Sequence, residues 1–321
     1  MSFFNDTKHL NMYLARDFII TTEGLIFAVT LNGIEDKKVI SCLRYVPVSS
    51  GLHKVDTREA ISLLRTSYPQ YLHYSRHRDV TLQAVALNRI QRHLRPREKL
   101  SALMSHNNDD PLIELLQKLV NLLGNEGVEC RNMGITGSLL AGTQHVDSDI
   151  DLVIYGRESF ELARRAIRRL SARNFLQPPS MALWQTTYRR RGCALSFPDY
   201  LWHEQRKFNK GAIDGIKFDL VLVEQDDRDE DQRRWWKTGR VTIQALVTDA
   251  KKAFATPARY NLDHPEIPLA LSFTATYTGQ AMAGEKVEIS GIVELSPDGD
   301  SRIIVGSSRE APGEYIKVIH S

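Results

Sequence analysis

Apolar and polar positions along the chain fall into three regimes. From residue 17 to 46 the apolar residues come in short β-branched runs. "DFIITTEGLIFAVTL" reads as two strands broken by a turn at Glu23-Gly24, and "KKVISCLRYVPV" as a third. Residues 57 to 67 switch to helical spacing, with Ala60, Ile61, Leu63 and Leu64 on one side. The stretch "DVTLQAVAL" then leads into a basic segment, "NRIQRHLRPREKL". In the middle regime helices and buried strands alternate. Asp110 suits an N-cap, where its oxygen meets orphan N–H groups, and Pro111 suits the first helical position. Leu112, Leu115, Leu116, Leu119 and Leu123 continue that helix, and Gly124 or Gly127 ends it. A strand is expected near Met133 to Thr136. A helix follows over residues 158 to 173, with Phe160, Ala163, Ile167 and Leu170 as its apolar stripe. "GIKFDLVLVE", 215 to 224, reads as a buried strand, and "RRWWKTGRVTIQALVTDAKKAF" as helical. The tail alternates apolar and polar residues between Gly and Pro turns, which predicts four or five short strands in a small barrel or sandwich.

These regimes predict an α+β chain in three domains. Residues 1–105 form an α+β N-terminal domain, 106–255 a central domain, and 256–321 a small β-barrel with an OB-like strand-turn rhythm. The length of 321 residues accommodates two or three domains, and 42% apolar with 25% charged residues is the composition of a folded chain. The formal charge of +3 neither requires nor excludes nucleic acid, because distribution matters more than the sum. Cys42, Cys130 and Cys193 lack paired spacing, so neither a disulfide framework nor a zinc site is expected, and no histidine pair has metal-ligand spacing. "MSFFNDTKHL" does not read as a signal peptide, and no apolar run approaches the roughly 20 residues of a membrane span. A cytoplasmic protein without membrane partners is the expectation.

The chemistry concentrates in "GITGSLLAGTQHVDSDIDLVIYG", residues 134 to 156. In a strand, residues i and i+2 share a face, so Asp149 and Asp151 project together while Ile150 points away. Two ionised carboxylates side by side repel, and a divalent cation reverses that. Hard oxygen donors suit Mg²⁺, with Mn²⁺ as a substitute. Two such ions about 3.5 to 4 Å apart can clamp the oxygens of an in-line displacement. Gly137 permits a sharp turn and a close approach to a ligand, and Ser138 offers a hydroxyl and an N–H to phosphate. Gly142 permits a second close approach. Thr143 and Ser148 suit either phosphate contact or turn capping. A third carboxylate is expected on a neighbouring strand, and Asp219, alone in the apolar run "IKFDLVLV", supplies it. Lys217, two residues earlier, is a counterion candidate. Lys207 and Lys210, in "WHEQRKFNK", are placed to reach a triphosphate.

The set Gly137-Ser138, Gly142-Thr143, Ser148-Asp149-Ile150-Asp151 and Asp219 resembles the nucleotidyltransferase superfamily of the polymerase-beta type. The resemblance covers roughly residues 108 to 250. It implies a mixed sheet with helices on one side, Mg²⁺-dependent transfer of a nucleoside monophosphate from an NTP such as ATP, and pyrophosphate release. The leader, with "RDFI", "EGLIF" and "LRYVPV", resembles a mainly archaeal group of uncharacterised predicted nucleotidyltransferases. Small antitoxin-like members carry an arginine shortly after Gly-Ser; "GSLLAGT" does not, which disfavours that branch.

Residues 157 to 210 hold twelve Lys or Arg against four acidic residues. A solvated helix face explains Arg164 to Arg169 about as well as nucleic-acid contact does. Trp184, Tyr188, Tyr200, Trp202 and Phe208 interleave with these charges, and core packing is the expected role for most. The barrel is either an OB-like nucleic-acid module or a structural and protein-docking domain, since Glu285, Glu288, Glu294, Asp298 and Asp300 make it acidic. The leading expectation is a nucleotidyltransferase acting on RNA, tRNA-like in character. The alternatives are a cyclic-oligonucleotide synthase, a protein or small-molecule adenylyltransferase, and a nucleic-acid-binding scaffold without turnover.

Overall fold

The computed structural model describes residues 13–106, 109–145, 148–225, 233–308 and 311–320. The N-terminal segment read for a signal peptide, residues 146–147 of the motif and residues 231–232 lie outside the described residues. The chain divides into two compact units: Met1–Ser75, Val80–Ser159 and Val223–Glu230 form one, and Arg76–Asp79, Phe160–Leu222 and Asp231–Ser321 the other. Among the described residues no helix is long and apolar enough to cross a membrane.

In the first unit, β1 (Phe18–Thr21) and β2 (Ile26–Val29) form the expected hairpin, Phe18 opposite Ala28 and Ile20 opposite Ile26. β3 (Lys38–Val48) and β4 (Gly51–Lys54) follow, then α1 (Thr57–Ser67), β5 (Leu72–Ser75), β6 (Val80–Ala86) and β7 (Ile90–Leu94). The sheet runs β5-β6-β3-β2-β1-β7, with β4 paired to β3. Asp56 caps α1 by accepting the Glu59 N–H at 2.9 Å. The core beneath is Ile19, Phe27, Val39, Leu43, Leu64, Tyr71 and Val85.

α2 (Pro96–Met104) and α3 (Pro111–Asn125) come next. α3 begins as expected: the Asp110 carboxylate accepts the Leu112 N–H at 2.9 Å and Pro111 opens the first turn. Leu112, Leu116, Leu119 and Leu123 are buried, each worth about 1.5–3 kcal/mol relative to exposure. β8 (Met133–Ile135), the short α4 (Gly137–Ala141) and β9 (Ile150–Tyr155) carry the motif, β8 and β9 antiparallel with Ile135 opposite Leu152. The leader sheet packs on this segment: Phe18, Ile26 and Tyr45 enclose Leu140 of α4. Leu14 joins Val153, Tyr155 and Val223. α5 (Arg157–Ala172) starts here, and the division between units falls within it.

The second unit contains α6 (Met181–Arg191), α7 (Phe197–Lys207) and the hairpin β10 (Lys210–Ile213) with β11 (Ile216–Val223). Its barrel is built from β12 (Trp236–Asp249), β13 (Ala258–Asp263), β14 (Leu269–Ser272), β15 (Lys286–Leu295) and β16 (Ser301–Val305), with β17 (Tyr315–Val318) added to β15. The ring runs β12-β13-β14-β16-β15 and closes through β12–β15 pairing. The third and fifth barrel strands are parallel, Ala270 beside Ile303. That order is the five-stranded OB arrangement the tail's rhythm suggested. Gly291 allows β15 to cross β16 closely, since a Cβ there would stand 2.3 Å from the Ile304 carbonyl oxygen. The helical expectation for "RRWWKTGRVTIQALVTDAKKAF" is overturned. Its centre is β12, whose pairing with β15 from Trp236↔Leu295 to Leu246↔Lys286 outweighs a local pattern that suits a helix equally well. Trp184 and Tyr200 from α6 and α7 share one core with Val247, Tyr260, Val287, Ile289 and Ile303, the packing role expected for them.

His203 of α7 ties that helix to the last strand. Its ring Nδ1 lies 2.7 Å from the Asp199 carbonyl, and its Nε2 accepts the Val318 N–H at 3.1 Å. Both bonds together require the neutral imidazole with its proton on Nδ1. The ring is 1% exposed, and burial pushes its pKa down to about 4 from 6.5. The unfolded chain therefore binds the proton first, and stability present above pH 6.5 is lost as pH falls toward 4. The full loss is about 3 kcal/mol. Urea unfolding from pH 7 to 4 should show this decline, and His203→Gln should flatten it over that window.

Candidate active site

The motif's geometry starts from the β8–β9 ladder. Past Ile135, the Thr136 N–H continues the ladder by donating to the Asp151 carbonyl at 3.0 Å. The chain then turns at Gly137, φ +67°, into α4, and leaves α4 at Gly142, φ +72°. Both values lie in the left-handed region that glycine enters without strain. The Gly142 and Thr143 N–H groups both return to the Ser138 carbonyl, the latter at 2.9 Å. Leu139 and Leu140 anchor the short helix below.

Gly137 lies directly beneath the Asp151 side chain. A Cβ at 137 would stand 2.4 Å from Asp151 Oδ2 and 3.3 Å from its Cγ. Glycine is thus required twice, for its dihedral and for the carboxylate above it. Asp149 is half-buried one residue before β9, and Ile150 between the two aspartates is fully buried. Ser148 holds the preceding turn: its Oγ accepts the His145 N–H at 3.0 Å and its N–H donates to the His145 carbonyl at 2.9 Å. Thr143 Oγ1 is buried with no hydrogen-bond partner among the described residues. The first unit therefore carries Gly137, Ser138, Gly142, Thr143, Ser148, Asp149 and Asp151 on one strand-turn-helix-strand segment.

The second unit carries Asp219, Lys207 and Lys210. Asp219 lies on β11 opposite Lys210 of β10. Lys217 Nζ donates to Asp219 Oδ2 at 2.6 Å, so the counterion contact exists, while Asp219 Oδ1 is buried and has no partner among the described residues. Lys207 is not aimed at a ligand. Its ammonium donates to Glu204 Oε1 at 2.6 Å and to the Thr276 carbonyl at 2.9 Å, and the side chain is 1% exposed. Lys210 binds the other oxygen of the same carboxylate. Burial alone would raise the Glu204 pKa, but the two ammoniums bring it down to about 2, and burial lowers Lys207 to about 8. These lysines neutralise a buried carboxylate that holds α7 to the barrel.

Arg164 is likewise engaged, by Glu161, the Lys207 carbonyl and the Phe254 ring. Arg165, Arg168, Arg173, Arg189 and Arg190 are exposed. Trp202, 39% exposed, carries Arg206 over its ring, 4.3 Å from the centroid. Sequence reasoning missed Thr136, whose hydroxyl donates to the Arg16 carbonyl at 2.8 Å. No local signal marks a contact between residues 120 positions apart. Among the described residues, one group of three places potential metal-ligating atoms within 4.8 Å of one another: Glu35, Asp36 and His73. It could hold a metal ion, and as it stands His73 Nε2 lies 3.2 Å from Glu35.

A family model for a nucleotidyltransferase domain matches residues 127–238. An uncharacterized protein of Methanocaldococcus jannaschii is 32% identical over 333 aligned positions, covering 94% of this chain and 98% of its own. No solved structure matches.

Gly137→Ala should displace the Asp151 carboxylate, and nucleotide turnover should fall by about 10²-fold, the scale of a misplacement of roughly 1 Å. A thermal melt should show the fold retained, with a loss of about 1–2 kcal/mol for the left-handed alanine. Glu204→Gln should leave the Lys207 ammonium buried without a carboxylate and cost about 3–5 kcal/mol in chemical denaturation.

Proposed function

We propose that this chain, which belongs to the polymerase-beta-type nucleotidyltransferase superfamily and to the same family as its archaeal relative, transfers a nucleoside monophosphate from an NTP to a hydroxyl of RNA in a magnesium-dependent reaction. The observation that carries the reading is the Asp151 carboxylate standing over Gly137, at the mouth of a turn whose Ser138 and Thr143 offer phosphate donors. A glycine kept bare beneath a carboxylate is what a ligand-holding site requires and what a plain turn does not.

The donor set fits Mg²⁺, being hard oxygen throughout, and the buried Asp219 Oδ1 is an acceptor without a donor among the described residues. Asp149 and Asp151 would hold the ion, which would supply charge neutralisation at the phosphate oxygens, and Mn²⁺ suits the same donors; Asp219, the third carboxylate of the set, would activate the acceptor hydroxyl. Ser138 gives its hydroxyl and N–H to the triphosphate, and the unpartnered Thr143 hydroxyl donates alongside it. Ser148 serves by holding the turn before Asp149. The acceptor hydroxyl oxygen attacks the α-phosphorus as its proton passes to Asp219 Oδ1. The bond from the α-phosphorus to the bridging oxygen breaks, and pyrophosphate leaves. Lys207 and Lys210 take no part, because their charges are spent on Glu204.

RNA is favoured as acceptor by the exposed Arg165, Arg168, Arg173, Arg189 and Arg190, each a cation open to a phosphate backbone. The OB strand order of the barrel adds a module type that accommodates oligonucleotides. The test incubates purified protein with each labelled NTP, Mg²⁺ and total RNA. Label should enter RNA, and Asp149→Ala or Asp151→Ala should lower the rate by more than about 10³-fold. Label in cyclic dinucleotides, in protein or in a small molecule would replace RNA as acceptor. No transfer by the wild type to any acceptor would leave a binding scaffold.

A further inference from the structure

Beside the packing of its sheet on Leu140, the leader reaches the motif through a short turn at residues 14 to 17. The turn is closed from within: Asp17 N–H donates to the Leu14 carbonyl at 3.0 Å, and Asp17 Oδ2 accepts the Leu14 N–H at 3.0 Å. His93 Nε2 lies 2.7 Å from the same oxygen, and Asp17 is 2% exposed. From outside, Arg16 N–H donates to Val29, Val29 N–H to Asp17, and Ala15 N–H to Asn32 Oδ1 at 2.8 Å. Asn32 in turn donates to the Glu224 carbonyl at 2.7 Å. Arg16 sits at φ +81°, a left-handed conformation that a non-glycine residue keeps only where its surroundings over-determine it. The Arg16 carbonyl is thereby aimed at one group, the Thr136 hydroxyl, which donates to it at 2.8 Å.

Thr136 is buried and β-branched, so its side chain has little rotamer freedom. Its N–H holds the Asp151 carbonyl, its hydroxyl holds Arg16, and its own carbonyl begins the peptide to Gly137. That peptide sets how Gly137 meets the Asp151 carboxylate. We propose that Thr136 is a positioning residue, through which the Leu14–Asp17 turn of the leader fixes the Gly137–Asp151 approach. The proposal rests on Asp151 being a working carboxylate of the transfer reaction. It gives the leader a role in catalysis without any contact to substrate.

The test is a graded series in the full-length protein: Thr136→Ser keeps the hydroxyl, Thr136→Cys offers a weak donor, and Thr136→Val keeps the shape alone. Amide hydrogen exchange over residues 133–143 is measured with kcat and KM for the NTP. Thr136→Val should speed exchange at residues 136 and 137 by about 10-fold, as expected where a local opening is eased. It should lower kcat by about 10- to 100-fold with KM changed less than about 2-fold. Thr136→Ser should restore both, with Thr136→Cys between. Should the valine variant not fold, the Cys-to-Ser comparison carries the same readouts. Unchanged exchange in the donor-poor variants, or a kcat that does not follow the series, overturns the proposal. A wild type without transfer activity refutes the functional reading instead, and the exchange series still decides whether the turn fixes this peptide.

Discussion

The candidate site depends on a missing atom. With no Cβ at residue 137, the Asp151 carboxylate can stand over the backbone where β8 gives way to α4; with one, the two would meet at 2.4 Å. The surrounding features serve that approach. The β8–β9 ladder sets the register, Gly142 turns the chain back, and Ser148 fixes the turn that delivers Asp149. A five-residue helix such as α4 has little stability of its own. It is held by Leu139 and Leu140, the latter packed against Phe18, Ile26 and Tyr45 of the leader. The leader sheet is thus part of what makes the turn rigid.

The larger elements were legible because their signals are local. The β1–β2 hairpin follows from Glu23-Gly24, α3 from Asp110-Pro111 and its leucines, and the tail strands from alternation. β12 was not legible: Val241, Thr242 and Ile243 adjoin an Ala-Leu run, and the choice of strand is made by β15, more than forty residues on. Within the site, the Gly137, Ser138, Asp149 and Asp151 segment was readable because its residues are sequence neighbours. The Thr136–Arg16 contact was not, because nothing near either residue encodes it. Lys207 and Lys210 misled for a related reason. A basic run beside a catalytic strand looks like a phosphate clamp until a carboxylate three residues earlier, Glu204, is seen to be fully buried.

That contrast separates charges satisfied within the framework from groups left open to a ligand. Glu204, Lys207 and Lys210 satisfy one another, and so do Asp17, His93 and the Leu14 N–H. Buried charge of this kind costs desolvation and returns it through close pairing, so it rigidifies without inviting a ligand. Asp219 Oδ1 and Thr143 Oγ1 behave differently. Each is a buried atom without a partner among the described residues, at a cost of about 1–3 kcal/mol per group.

Such a cost does not mark a ligand site by itself, since Trp184 Nε1 and Tyr200 OH in the packed core also lack a partner among the described residues. Valine would replace Thr143 without loss of volume, and leucine or asparagine would sit in the apolar run around Asp219 with less penalty. The two groups share a chemistry as well, one a hydroxyl donor and the other an anionic acceptor. What sets Thr143 and Asp219 apart is their place, one on the segment turned by Gly137 and Gly142 and the other on the strand expected to supply a third carboxylate. On the proposed reading a phosphate oxygen would meet the hydroxyl, and a substrate proton the carboxylate.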